Sequence, residues 1–243
     1  MGFGHEKLDV YRRAMDFLEY RRAVSKSPRI QCAAYEHLNR ASESIPINIA
    51  HVSASLNPKE RVVYLGYANG SALECAACLD VLAAKNMLDE SRQYNGKIIL
   101  RQIVGMLITM KNETADRVCE DVAIYPALPS GVVFDHEKLH AYQSSLAFIV
   151  WMTKHAPGFA CSNDLIAKLD KASTSVVLNL AEGNGRFSNS DKVKFFTTAS
   201  KANIQTSALL NIAHQNRNGI EQGQAILSTT GKLLAGLIKS KTR

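Results

Sequence analysis

The 243-residue sequence contains no run of about 18 apolar residues, which is the minimum that a membrane-spanning helix needs. Proline is scarce, at six residues, so few positions forbid a continuing helix. The first residues also lack the basic segment followed by an apolar one that is typical of a secretory signal peptide. These absences predict a mostly helical, cytoplasmic protein with no membrane partner.

Cysteine is scarce as well, with five residues scattered along stretches of helical pattern. An odd number of thiols in a reducing compartment indicates buried side chains rather than a disulfide framework. Cys75 and Cys78 have the spacing of half a metal or redox site, but no second pair accompanies them. We therefore interpret them as two small core residues of a helix.

The charge is unevenly distributed along the chain. Residues 1–131 carry 16 basic and 15 acidic side chains, a net of +1, whereas residues 132–243 carry 13 and 7, a net of +6. A basic half is typical of a protein that attracts a polyanion such as nucleic acid at long range and without specificity. It is equally compatible with a charge that serves solubility alone.

The sequence repeats itself. Phe3-Gly-His-Glu-Lys-Leu8 returns as Phe134-Asp-His-Glu-Lys-Leu139, an offset of 131 residues. At that offset 17 of the 80 positions from 3 to 82 are identical, against roughly one in sixteen expected by chance. The repeat predicts a tandem duplication, with one domain at 1–122, a linker at 123–133 that contains two prolines, and a second domain at 134–243.

Apolar residues at 3/4 spacing predict four helices in each copy. In the first copy these are 5–26, 31–54, a third that begins after the cap residue Asn57 with Pro58 at its first position, and 97–121. In the second they are 136–154, 163–182, 189–215 and 221–240, with Gly183 ending the second helix and Ser188 capping the third. Because no strand pattern remains and the connections are short, the predicted fold is all-α, with two tandem antiparallel up-down four-helix bundles.

One segment fits a catalytic pattern. His136-Glu137-Lys138-Leu139-His140 matches the HExxH signature of zinc proteases, in which two histidines share one helix face. Three points argue against it: the segment starts a helix, the first copy has Asp9 in place of the second histidine, and no third ligand is evident downstream. The sequence therefore predicts no catalytic residue, no metal and no cofactor.

Two further features have both a functional and a structural interpretation. The segment from Asn179 to Arg186 has closely spaced glycines and precedes a helix, so it could hold a phosphate, but an ordinary corner between helices is favoured. Asn48 and Asn179 each place an amide on an apolar helix stripe. A contact to a ligand or a base is one interpretation, and a residue that fixes helix register or an oligomer interface is the favoured one.

Basic clusters are the remaining functional signal. The candidate nucleic-acid-binding residues are Arg12, Arg13, Lys171, Arg186, Lys192, Lys194 and Lys201. Basic side chains at helical spacing often form no more than a solvated face, so the pattern indicates nucleic acid without requiring it.

The segment from Ala172 to Arg186, followed by Lys194-Phe-Phe and Ala199-Ser200, resembles the signature of a known family. This family consists of small four-helix-bundle proteins encoded within intervening sequences of bacterial 23S rRNA genes, and it includes the accessory variability determinant proteins of diversity-generating retroelements. The second copy resembles it more closely than the first, which has His51-Val52 and Ala54-Ser55 in place of Glu182-Gly183 and Gly185-Arg186.

The resemblance implies a non-enzymatic, basic bundle that commonly forms a ring-shaped oligomer such as a pentamer. In the retroelement branch such proteins bind nucleic acid and a reverse transcriptase. The expected partners are therefore RNA, a reverse transcriptase and further copies of the chain. Because five is odd, whole two-bundle chains cannot build a five-bundle ring, so an even ring, a ring built from one copy only, and a monomer all stay open. The alternative function is a protein–protein scaffold with no nucleic-acid role.

Overall fold

The computed structural model describes residues 3–25, 32–115, 134–159, 161–213 and 220–242. The predicted linker at 123–133 lies outside the described residues. The described residues form eight α-helices and three short 3-10 helices, with no strand among them, so the predicted all-α class is confirmed.

The first bundle follows the predicted pattern. Its helices are α1 (Asp9–Ser25), α2 (Ala33–Ala54), α3 (Pro58–Ala84) and α4 (Glu90–Ala115). Each helix contacts the next, and α1 closes the bundle against α4. The start of α3 is as predicted, because the Asn57 side chain accepts a hydrogen bond from the Lys59 amide at 3.0 Å and Pro58 occupies the first turn.

The second bundle has the same topology. Its helices are α5 (His140–His155), α6 (Asn163–Gly185), α7 (Asn189–Ala213) and α8 (Glu221–Thr242). Here α5 closes the bundle against α8. The Ser188 hydroxyl accepts a hydrogen bond from the Asp191 amide at 3.1 Å, which confirms the predicted cap of α7.

Three predictions of helix boundaries are wrong. Helix α4 begins at Glu90 rather than at residue 97, so Tyr94-Asn95-Gly96 lies inside this helix and does not precede it. The repeated HEK segments are not the first turns of α-helices but separate 3-10 turns, Gly4–Lys7 and Asp135–Lys138, each followed by one extended residue. Gly183 does not end α6, which continues to Gly185. Glycine is required at 183 because a Cβ there would lie 2.8 Å from Phe195 and Phe196 of α7. A close approach between helices, rather than a helix end, explains this residue.

The two bundles pack against each other. Helix α6 lies against α3 and α2, and α5 also contacts α3. One cluster of buried apolar residues runs through both bundles, while a smaller cluster around Trp151 fills the far end of the second bundle. The pairing is heterologous, because the α5 and α6 side of the second bundle meets the α3 side of the first.

Candidate nucleic-acid interface

All seven predicted basic residues are exposed or half-buried, but the Arg186 side chain is only 14% exposed. The other six are Arg12, Arg13, Lys171, Lys192, Lys194 and Lys201. Lys194 forms an ion pair with Asp191 at 2.9 Å, but its side chain is still 74% exposed, and water screens pairs of this kind. These six cations are accessible to a polyanion, and their role in binding stays a prediction.

Arg186 has a different environment. Its guanidinium forms an ion pair with Glu182, one helical turn earlier, and lies over the rings of Tyr67 and Phe195 at 5.7 Å and 4.4 Å from their centroids. Tyr67 belongs to the first bundle and Phe195 to the second. Burial raises the pKa of Glu182, and Arg186 opposes that effect. Arg186 therefore bridges the two bundles.

Contact between the two bundles also explains the glycines around Arg186. A Cβ at Gly185 would collide with Leu73 of α3, and the Asn69 amide donates a hydrogen bond to the Gly185 carbonyl at 2.9 Å. Gly70 of α3, in the first bundle, leaves room for the Arg186 guanidinium. A Cβ at position 70 would lie 3.3 Å from the Arg186 Cζ. The corner thus seats the second bundle on the first.

A buried polar cluster lies in the same junction. The Lys97 ammonium is 2.8 Å from carboxylate oxygens of both Asp80 and Glu137, and the Tyr142 hydroxyl donates to Asp80 at 2.7 Å. Among the described residues, Asp80, His136 and Glu137 form the one group of this kind that brings three metal-ligand atoms within 4.8 Å of one another. Burial lowers the pKa of Lys97, but the two carboxylates raise it overall. Its ammonium therefore already supplies the positive charge between them.

The HExxH pattern does not assemble in the structure. His136 is fully buried within the 3-10 turn, whereas His140 is exposed at the start of α5. The His136 ring stacks on Phe134 and meets Tyr142 edge-on, with centroids 5.5 Å and 4.8 Å away. Burial lowers the pKa of His136 to about 4, so its imidazole is neutral at pH 7.

A cavity of about 280 Å³ opens between the bundles; we call it the junction cavity. Helices α3 and α4 line one side, and the 3-10 turn at 135–138, the corner and α7 line the other. Its four cationic lining residues are Arg101, Lys111, Arg186 and Lys192, and Asp135 is the one carboxylate among the residues that line it. The Lys111 ammonium lies over the Phe187 ring at 4.5 Å.

Arg101 and Lys111 were not among the predicted site residues. Both belong to α4 of the first copy, whose near-neutral charge gives no local signal for a binding surface. They join Lys192 of α7 because the second bundle docks on the first. The sequence pattern describes each bundle separately and does not contain that proximity.

A family model described as 23S rRNA-intervening sequence protein matches the chain twice, over residues 6–109 and 137–236. The chain belongs to this family. The two matches correspond to the two bundles, which confirms the tandem duplication. No curated protein and no solved structure gives a match to the chain.

The two asparagines occupy the same place in each copy of the family domain. The side-chain nitrogens of Asn48 and Asn179 donate to the backbone carbonyls of Ser44 and Ser175, four residues earlier, at 2.8 Å and 2.7 Å. Both side chains are half-buried, and these bonds are local to the helix. A role of these residues in an interface stays a prediction.

The cysteines and the hydropathy of the helices agree with the sequence predictions. Cys75 and Cys78 are fully buried in the core, as predicted, and burial raises the pKa of both thiols well above the usual range. Within the described part of the chain, no helix is both long enough and apolar enough to span a bilayer.

Proposed function

We propose that this protein is a non-enzymatic, RNA-binding accessory protein of the intervening-sequence type. The observation that supports the proposal best is that Arg101, Lys111 and Lys192 all line the junction cavity between the bundles. The name of the family, which refers to 23S rRNA, points to the same class of partner. RNA binding then depends on the junction rather than on either bundle alone.

The electrostatics of the junction cavity favour a polyanion. Burial and the nearby Lys241 ammonium both lower the pKa of Lys192, so cations crowd this side of the molecule. Lys194 and Lys201 extend the positive surface along α7. An RNA phosphate placed among these groups would relieve their mutual repulsion and release bound counterions.

The test is binding of a structured RNA by fluorescence anisotropy across a salt series. We expect affinity to fall steeply with salt, and the variant Lys192→Gln/Lys194→Gln to bind more weakly with a salt slope smaller by about 2. The matched control, Lys154→Gln/Lys168→Gln, removes the same charge from α5 and the start of α6 and should bind like the wild type. An affinity that is independent of salt, or an equal loss in both variants, would contradict the proposal.

A reverse transcriptase partner is the finer prediction for the retroelement branch. Its test is capture of a purified reverse transcriptase by the tagged protein, with and without nuclease treatment. Capture that requires intact RNA would indicate that the two proteins share a nucleic acid, whereas capture that survives nuclease would indicate direct contact. Absence of capture in both conditions would contradict the prediction.

Self-assembly is a second candidate function, and a specific observation favours it. Four exposed apolar residues occupy positions whose counterparts in the other copy are buried at or near the junction. With each counterpart in parentheses, these are Phe3 (Phe134), Ile47 (Leu178), Ile204 (Leu73) and Ile212 (Val81). Phe3 is 72% exposed and Phe134 is 5% exposed; for Ile204 and Leu73 the values are 66% and 6%. Each bundle therefore leaves exposed the face whose counterpart in the other bundle is buried at or near the junction.

These uncovered faces fit a head-to-tail contact between chains. The α1 and α2 side of one molecule would meet the α7 side of the next, in the arrangement that the bundles adopt within the chain. Heterologous contacts of this kind close into rings or extend into filaments. Both faces have diverged, however, because Lys201 stands at the position of Gly70 and Ser55 at that of Arg186.

Sedimentation velocity over a range of protein concentrations tests the assembly. We expect species larger than a monomer, and dissociation to monomers in either Phe3→Lys/Ile47→Lys or Ile204→Lys/Ile212→Lys. Val150→Lys changes an equally exposed apolar residue outside this set and should leave the assembly intact. A wild-type protein that stays monomeric at every concentration would contradict this second function and leave RNA binding unaffected.

A further inference from the structure

Two residues that line the junction cavity carry buried polar atoms that have no partner in the protein. Both ring nitrogens of His136 are buried without a hydrogen bond, and so is the side-chain oxygen of Asn69. His136 is 0% exposed and Asn69 is 2% exposed, and both residues line the cavity. Unsatisfied buried groups cost about 1–3 kcal/mol each, so two such residues beside one cavity favour a ligand that pairs with them.

The chemistry of these atoms defines part of that ligand. A neutral imidazole offers one donor and one acceptor, and the Asn69 oxygen offers an acceptor. A complementary ligand therefore needs an edge with both donors and acceptors. The rings of Phe134 and Phe187 line the same space, which favours a flat, aromatic group.

The rest of the lining defines the other end of the ligand. Lys111 and Lys192 come from opposite bundles and flank the cavity together with Arg101. Cations grouped in this way favour an anion such as phosphate. A nucleotide combines a phosphate with a flat base that donates and accepts hydrogen bonds. The volume of about 280 Å³ lies near the lower end of the range for ligand sites, so it suits a single nucleotide.

We propose that the junction cavity binds one nucleotide, with its base near His136 and Asn69 and its phosphate near Lys111 and Lys192. The inference rests on the proposed RNA binding for its expected occupant, an unpaired nucleotide of a bound RNA. Bases inside an RNA duplex are not accessible to such a cavity, whereas unpaired bases in loops, bulges and ends are. A free 5′-nucleotide has the same chemistry and is the simplest probe.

Calorimetric titration of the full chain with the four 5′-nucleoside monophosphates tests the site, with ribose 5-phosphate and inorganic phosphate as parallel probes. We expect at least one nucleotide to bind tenfold or more tightly than either parallel probe and to shift the ¹⁵N resonances of the His136 ring. Equal affinity for nucleotide and phosphate would overturn the base contact. If no nucleotide binds while structured RNA still does, this inference fails and the proposed function stands.

Two matched comparisons separate a binding role from a structural one. His136→Phe keeps the stacked ring but removes both unpartnered nitrogens, so nucleotide affinity should fall at least tenfold while the Tm does not fall. Lys192 and Lys194 are two residues apart on α7, but only Lys192 lines the cavity. Lys192→Gln should weaken nucleotide binding severalfold and Lys194→Gln should not, although both lie on the proposed RNA surface. An equal loss in the two lysine variants would indicate diffuse attraction and overturn the site.

Competition distinguishes the two sources of the nucleotide. If an unpaired nucleotide of a bound RNA occupies the junction cavity, a saturating nucleoside monophosphate should displace an RNA with an unpaired 3′ end. The same nucleotide should leave a blunt RNA duplex bound. Simultaneous binding of nucleotide and RNA would assign the cavity to a free nucleotide instead.

Discussion

Single polar residues link the bundles through groups that are distant in sequence. Asp80 lies in an apolar stretch of α3, yet it accepts hydrogen bonds from Lys97 of the first bundle and Tyr142 of the second. Lys85, the residue that follows α3, likewise pairs with Asp170 of α6. Removing one member of such a buried pair costs about 3–5 kcal/mol because the remaining charge is left uncompensated. These residues therefore tie the position of one bundle to that of the other.

His136 should make the stability of the protein depend on pH. Burial lowers its pKa to about 4, while an unfolded histidine titrates near 6.5. Between these values the unfolded chain binds a proton that the folded protein does not, so the free energy of unfolding should fall as the pH falls from about 6.5 to about 4. The loss from this residue is on the order of 3 kcal/mol in total.

Urea denaturation at pH 7, 5.5 and 4.5 measures this effect. These conditions span about 2.5 pH units, which is the size of the shift in the His136 pKa. His136→Phe should lose less stability on acidification than the wild type. The exposed His140→Phe is the control and should keep the wild-type dependence. An identical pH dependence for wild type and His136→Phe would show that His136 has the same pKa in the folded protein as in the unfolded chain, and would contradict the prediction.

At the scale of helices and turns, the sequence predicted those features that depend on residues close together in the chain. Asn57 with Pro58, and Ser188 with Asp191, mark the starts of α3 and α7 correctly because each cap is a hydrogen bond within a few residues. The 3-10 turns were missed although their signal is present, since Glu137 accepts a hydrogen bond from the Phe134 amide at 3.0 Å and so closes a turn. Gly183 and Gly185 were assigned by turn chemistry, but contacts between helices determine them.

Gly185→Ala should weaken the contact between α6 and α3. The added Cβ would collide with Leu73, so we expect a loss of about 1–3 kcal/mol in the free energy of unfolding. Gly236→Ala in α8 is the control, because a Cβ there meets nothing within 4 Å and alanine favours the helix by up to about 1 kcal/mol. Urea denaturation compares the two, and a neutral Gly185→Ala would mean that the packing of α6 on α3 adjusts to the extra methyl group.

At the scale of the whole molecule, duplication has produced two unequal copies that together line one cavity. The internal repeat predicted both bundles and their order, because it is visible in the sequence. It did not predict their docking, since an apolar residue covered by the other bundle has the same pattern as a core residue. Leu73 and Ile204 are counterparts, but the structure buries the first and exposes the second. The junction cavity therefore exists only in the assembled pair.

The same docking should make the two bundles unfold as one unit. Trp151 is the single tryptophan and lies in the second bundle, so its fluorescence reports that bundle, whereas far-UV circular dichroism reports both. In the wild type the two transitions should coincide, as expected for one cooperative unit. Leu73→Asp places an unpaired charge in the junction, so it should cost about 3 kcal/mol or more and separate the two transitions. Ile204→Asp makes the same change at the exposed counterpart and should leave both transitions in place. Separate transitions in the wild type would show that each bundle is stable without the other, and the junction would then be a weak contact rather than a shared core.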